Sequence, residues 1–195
     1  MIRGLGHAKS TDLIIHSDLD EIWDYKKLNE FDPEKYQWAR LIQNMYYFYF
    51  NNLHYNNQTG ENTKWNGPNV TTFLEFKKTF GSSFVKLRSQ RVHGIIKGLA
   101  IFRHRMRRKR QIIENGGWHF SYLMSPEKVS YKLNNYAHKE YNISEINSLE
   151  NINKKIQCGE TLFEKESRCK KIEMPKDFLD GVLDSLPECQ QFILK

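Results

Sequence analysis

The sequence predicts a single α/β domain over residues 1–195, and three observations predict it. Leu13-Ile14-Ile15 is a short continuous apolar run, which reads as a buried parallel strand. It ends at Asp18-Leu19-Asp20-Glu21, the carboxyl-end position at which open α/β sheets bind ligands. Residues 111–113 and 118–124 read as two strands on either side of the turn Asn115-Gly116-Gly117, and Ser125-Pro126 then opens a helix. No internal repeat or inter-domain linker interrupts the chain.

Residues 22–30 read as a short helical turn that Asp32-Pro33 breaks. Residues 41–50, rich in Tyr and Phe, read as a strand. Residues 51–69 contain seven Asn and read as a long loop. Residues 70–87 fit strand and helix alike. Residues 93–110 are a mixed apolar segment running into a basic cluster. After Ser125, whose hydroxyl can cap free N–H groups, Val129, Leu133, Tyr136 and Ala137 share one helical face. A second helix starts at Ser144, with Ile146, Leu149, Ile152 and Ile156 on its apolar side and Gly159 as its left-handed stop. The tail holds Pro175, a short helix around 177–184, Pro187 and a last apolar run at 192–194.

The composition sets limits. With 39% hydrophobic and 27% charged residues, the chain is not disordered as a whole. No run approaches the ~18 apolar residues of a membrane span, and residues 1–10 lack the apolar centre of a signal peptide, so localisation stays unknown. The net charge of +7 is concentrated in Arg103, Arg105, Arg107, Arg108, Lys109 and Arg110. That run lacks interleaved aromatics for base stacking, so no nucleic-acid partner is expected. It reads as a solvated face or as a stretch that steers an anionic substrate. Cys158, Cys169 and Cys189 form no C-x-x-C pair, which argues against zinc and against a disulfide framework. The 16 Asn, 20 Lys and 16 Ile reflect a coding bias. In so Asn-rich a chain, the sequons Asn57-Gln58-Thr59, Asn69-Val70-Thr71 and Asn142-Ile143-Ser144 arise readily by chance.

Asp18-Leu19-Asp20 is the sharpest chemical feature. Carboxylates at i and i+2 of an extended segment point to one side and can hold Mn²⁺ or Mg²⁺, which in turn bridges to a diphosphate. The same residues also suit the cap and first turn of a following helix. In the stretch 115–122, the glycines permit close approach of a flat ligand and Trp118 offers a sugar ring an apolar face. A tight turn followed by a half-buried strand explains those residues equally. His138 suits a metal ligand or a surface residue.

Taken in order, 11–22 (with Ser17-Asp18-Leu19-Asp20-Glu21-Ile22), 46–52, Trp65-Asn66-Gly67-Pro68, Gly117-Trp118-His119-Phe120-Ser121, 132–140 and 156–163 resemble glycosyltransferase family 17, the bisecting N-acetylglucosaminyltransferase family. The resemblance extends over nearly the whole chain. It implies a GT-A fold, a Rossmann-like nucleotide-sugar domain. It further implies metal-dependent transfer of N-acetylglucosamine from UDP-N-acetylglucosamine to a mannose of an N-glycan-like acceptor, with inversion. Asp18 and Asp20, completed by His138, would match the metal site, with Mn²⁺ or Mg²⁺ as cofactor. Trp65, Trp118 and His119 would line the sugar site. Glu114 is the first candidate for the catalytic base and Glu140 the second. Animal members are Golgi membrane proteins.

Trp23 stands where the family has Pro, and 17 residues precede Asp18. The expectation is therefore a GT-A fold lacking its nucleotide-binding start. The alternatives are an inactive remnant of that fold and, more remotely, a nucleic-acid binder using the run 103–110.

Overall fold

The apolar run at the N-terminus forms a strand, but not a parallel one. In the computed structural model, which describes residues 2–89, 110–135, 144–174, 178, 181 and 184–194, β1 (Leu13–His16) pairs antiparallel with β5 (Lys64–Thr72). Leu13 lies opposite Thr72 and His16 opposite Asn69. Of the run expected to be buried, Ile14 is, Ile15 is half-buried and Leu13 is exposed; an apolar run leaves strand direction open. Parallel pairing occurs elsewhere: β3 (Trp38–Tyr47) runs parallel to β6 (Arg110–Ile113), with Trp38 opposite Arg110 and Leu41 opposite Ile113. The architecture is mixed α/β with mixed strand pairing.

The chain divides into two compact units, Met1–Gln43 with Lys64–His119, and Asn44–Thr63 with Phe120–Lys195. The boundaries fall inside β3 and inside β7 (Gly117–Ser121).

In the first unit, β2 (Glu21–Trp23) pairs antiparallel with β7, so the helix expected from residue 22 is a strand followed by a 3-10 turn, Tyr25–Glu30. Asp24 starts that turn by accepting from Lys26 N. The ambiguous segment 70–87 resolves into the end of β5 and two helices, α1 (Phe73–Phe80) and α2 (Phe84–Arg88). Thr72 accepts from Glu75 N and Ser83 from Lys86 N, which caps both helices. Phe76, Phe80 and Leu87 are fully buried against Ile14 and Trp38. A second cluster gathers Phe31, Ala39, Leu41, Val70 and Ile113. Trp38 through Leu41 are all buried, as in a strand covered on both faces.

In the second unit, β4 (Asn52–Asn56) pairs antiparallel with β8 (Ser167–Lys171). Together with β5, β4 overturns the expected loop over 51–69. The Asn side chains there act as backbone partners. Asn51 holds both the N–H and the C=O of Leu194, Asn52 donates to Tyr47 O, and Asn56 Oδ1 accepts from Gln58 N and Thr59 N at the turn. On its far side β8 is partly covered: Cys169 N donates to Gly159 O, and Arg168 bridges to Glu160.

Of the expected apolar faces, Val129, Leu133 and Ile152 are buried, Leu149 is exposed, and Tyr136 and Ala137 lie outside the described residues. α3 (Pro126–Asn134) is capped by Ser125. The helix expected from Ser144 is two, α4 (Ser144–Asn147) and α5 (Leu149–Gln157), because Ser148 caps the second by accepting from Asn151 N. Gly159, at φ +64°, ends α5, with Glu160 N bonded to Lys155 O and Gly159 N to Ile156 O. Val129, Leu133, Ile152 and Leu162 pack on Tyr47, Phe48 and Tyr122.

His54, on β4, is fully buried in this unit. Its Nδ1 lies 2.7 Å from Thr63 Oγ1 and its Nε2 lies 3.2 Å from Glu164 Oε2. Burial lowers its pKa, outweighing the attraction of Glu164. Burial likewise pushes the Cys169 thiol up to about 12. No described helix is long and apolar enough to cross a membrane.

Candidate functional site

The candidate residues that converge do so in the first unit, around one buried carboxylate. β1 ends at His16 and β2 begins at Glu21, and the four residues between them turn the chain. Glu21 N donates to Asp18 O at 3.1 Å, closing a β-turn over Asp18–Glu21. Asp18 and Asp20 therefore sit on a turn and not on the extended segment from which their common side was inferred. Ser17 Oγ donates to Glu21 O at 2.8 Å and steadies the entry to the turn. Leu19, between the two carboxylates, is entirely exposed, so the turn opens to solvent.

Glu21 is 3% exposed, and both of its oxygens are engaged. Oε2 accepts from Asp18 N at 2.9 Å, and Oε1 accepts from Trp65 Nε1 at 2.7 Å. A buried carboxylate demands such partners. Here one comes from the turn just before it and the other from Trp65, 44 residues away, so Glu21 binds the Asp18–Asp20 turn to β5.

The register of β2 on β7 then places His119 opposite Glu21. The His119 ring stacks on Trp65, with centroids 4.3 Å apart and planes 11° from parallel. His119 Nδ1 lies 3.8 Å from Asp20 Oδ1. Arg88, at the end of α2, donates from Nη2 to Asp18 Oδ2 at 3.2 Å. The fully buried Leu87 and the bond from Asn69 Nδ2 to Leu87 O at 2.7 Å fix the end of α2 that carries Arg88.

Close packing within the protein explains the glycines of Gly116-Gly117. Gly117 has φ +136°, and a Cβ there would stand 2.2 Å from Ile22 O. A Cβ at Gly116 would meet Leu41 Cβ at 2.5 Å. Asp24 N bonds Gly116 O and Gly116 N bonds Ile42 O, so β2, β3 and the start of β7 lie backbone against backbone.

Asp18, Asp20, Trp65 and His119 are thus brought together. Trp118 is opposite Ile22 on the same ladder and is partly buried. Glu114 stands exposed on the turn before β7, beyond the Trp23–Gly117 end of the ladder, whereas Asp18 and Asp20 adjoin the Glu21–His119 end. Glu140, His138 and Arg103 through Lys109 lie outside the described residues. Sequence reading missed the roles of Glu21 and Arg88. Glu21 was visible as the third acid of the cluster, while nothing in the local pattern links Arg88 to Asp18, 70 residues away.

The donor chemistry fits a hard divalent cation. Asp18 and Asp20 offer carboxylate oxygens on a solvent-open turn. The Arg88 contact on Asp18 is a partly exposed ion pair, worth ~1 kcal/mol or less and easily exchanged. Among the described residues, no group of three or more His, Cys, Asp or Glu forms a complete metal cage. Compared with family models, curated proteins and solved structures, the chain matches none.

Proposed function

We propose that this chain is a metal-dependent glycosyltransferase acting on UDP-N-acetylglucosamine, with a mannose hydroxyl of an N-glycan-like chain as acceptor. One observation carries the reading. Three motifs of the resemblance, far apart in sequence, are joined: the Glu21 carboxylate accepts from the Asp18–Asp20 turn and from Trp65, and the Gly117-Trp118-His119 strand pairs with β2 and stacks His119 on Trp65. The finer GT-A assignment rests on the same resemblance, and the single-domain reading on the lack of a repeat or linker in the sequence.

In this proposal Asp18 and Asp20 hold Mn²⁺ or Mg²⁺. The ion's chemistry is to neutralise the diphosphate as it leaves. Glu21 fixes the turn that presents both carboxylates, and its own oxygens are already occupied. Trp65, 37% exposed, offers a ring face to a sugar. His119 backs that ring and holds it in plane. Inversion also needs a base for the acceptor hydroxyl. The sequence candidates for it are Glu114, exposed on the turn before β7, and Glu140, outside the described residues.

Calorimetry of the wild type with UDP and Mn²⁺ tests the reading. Binding is expected, with at least a tenfold loss of affinity in Asp18→Ala and in Asp20→Ala. UDP release from UDP-N-acetylglucosamine is expected to cease in Asp20→Asn. A folded wild type that binds neither UDP nor Mn²⁺ refutes the proposal. Binding without UDP release identifies the inactive form of the same fold.

A further inference from the structure

The chain contains three sequons, and the structure separates them. Asn69 is fully buried on β5. Its Nδ2 donates to Leu87 O at 2.7 Å, and its Oδ1 accepts from Arg40 Nε at 3.4 Å. A sugar on that nitrogen would remove the bond that holds the end of α2. Asn142 lies outside the described residues.

Asn57 differs in every respect. It is exposed, as are Gln58, Thr59 and Gly60. The turn that carries it is closed by groups other than its own side chain. Asn56 Oδ1 accepts from Gln58 N at 2.8 Å and from Thr59 N at 3.0 Å, and Gly60 N donates to Asn56 O at 2.8 Å. Gly60, at φ +74°, supplies the left-handed residue that completes the turn. The backbone N–H of Asn57 bonds Glu166 O at 2.8 Å, which anchors the residue while its carboxamide makes no hydrogen bond among the described residues. Thr59 Oγ1 accepts from Glu61 N at 3.2 Å, leaving the hydroxyl proton free to donate.

We propose that Asn57 is an N-glycosylation site, modified by an oligosaccharyltransferase that uses a polyprenyl-diphosphate oligosaccharide. The motif supplies the two groups the transfer requires, a carboxamide and a hydroxyl two residues on. The fold presents both at a surface turn, where a bulky glycan displaces nothing. In the step itself, the Asn57 carboxamide nitrogen bonds to C1 of the first sugar. The C1–O bond to the diphosphate breaks, the lipid diphosphate leaves with the electron pair, and the amide proton passes to the transferring enzyme. Asn57 belongs to the second unit and shares no residue with the Asp18–Asp20 turn, so this proposal and the transferase reading stand or fall separately.

The test is expression of the full chain through the secretory route of a eukaryotic cell, behind an appended leader. Secreted and cell-retained pools are both digested with peptide N-glycosidase in ¹⁸O water, which marks each formerly glycosylated Asn as labelled Asp. Labelled Asp at position 57 in more than half of the molecules is expected, together with its loss in Thr59→Ala and an unchanged melting temperature after the glycan is removed. Unlabelled Asn57 in both pools overturns the proposal, as does label at position 57 that persists in Thr59→Ala.

Discussion

His54 has no exposed surface, yet its ring touches both a hydroxyl and a carboxylate. Because burial lowers its folded pKa, the unfolded chain binds the proton more readily. Stability is therefore complete above the unfolded value near pH ~6.5 and falls as pH drops from there toward the lowered folded value. Urea unfolding between pH 7 and 5 should show this slope, and His54→Asn should flatten it. An equal slope in the variant would assign the effect to other groups. Gly117 supports a second prediction. At φ +136° and 2.2 Å from Ile22 O, an added Cβ has no room, so Gly117→Ala should cost more than ~2 kcal/mol. A loss below ~0.5 kcal/mol in urea titration would mean that β2 is not pinned there. Residue by residue, the site was partly legible. The D-x-D pair, Trp65 and His119 were marked by residue type and order. Arg88 and the organising role of Glu21 were not, because each depends on a contact with a residue far along the chain.

Helices were easier to read than strands, and the reason is local. Ser125-Pro126 carries its cap and first-turn geometry in adjacent residues, and Gly159 carries its left-handed stop in one. Ser148 carried the same kind of signal inside an apolar pattern that runs on through it, so a break between α4 and α5 was overlooked. Ser148→Ala should remove the bond to Asn151 N and cost ~1 kcal/mol, seen as a lower urea midpoint at unchanged slope. A midpoint that does not move would show that packing of Ile152 alone sets the start of α5. The strands β4 and β5 were hidden by composition. Seven Asn read as loop, yet Asn51, Asn52, Asn56 and Asn69 spend their amides on backbone groups that are only identifiable once the chain is folded. The direction of β1 was equally invisible, since the residues opposite it lie more than fifty positions away.

At the scale of the whole chain, each unit is assembled from two separate stretches of sequence. Residues 120–195 contain β8 but not β4, the strand to which it pairs along its full length. A fragment 120–195 should therefore show weaker amide protection over 167–171 under hydrogen exchange than the full chain. Equal protection in that fragment would show that β8 does not depend on β4. The same strand has a consequence for how copies of the protein meet. One side of β8 faces β4, and on the other, among the described residues, Gly159 and Glu160 cover part of the strand. Arg168, Lys170 and Lys171 lie along it. Two such edges approaching each other would bring like charges together, which is a common guard against runaway strand-to-strand growth. Removing the charge, by acetylation or by Lys170→Gln with Lys171→Gln, should make light scattering climb more steeply with concentration than it does for the wild type.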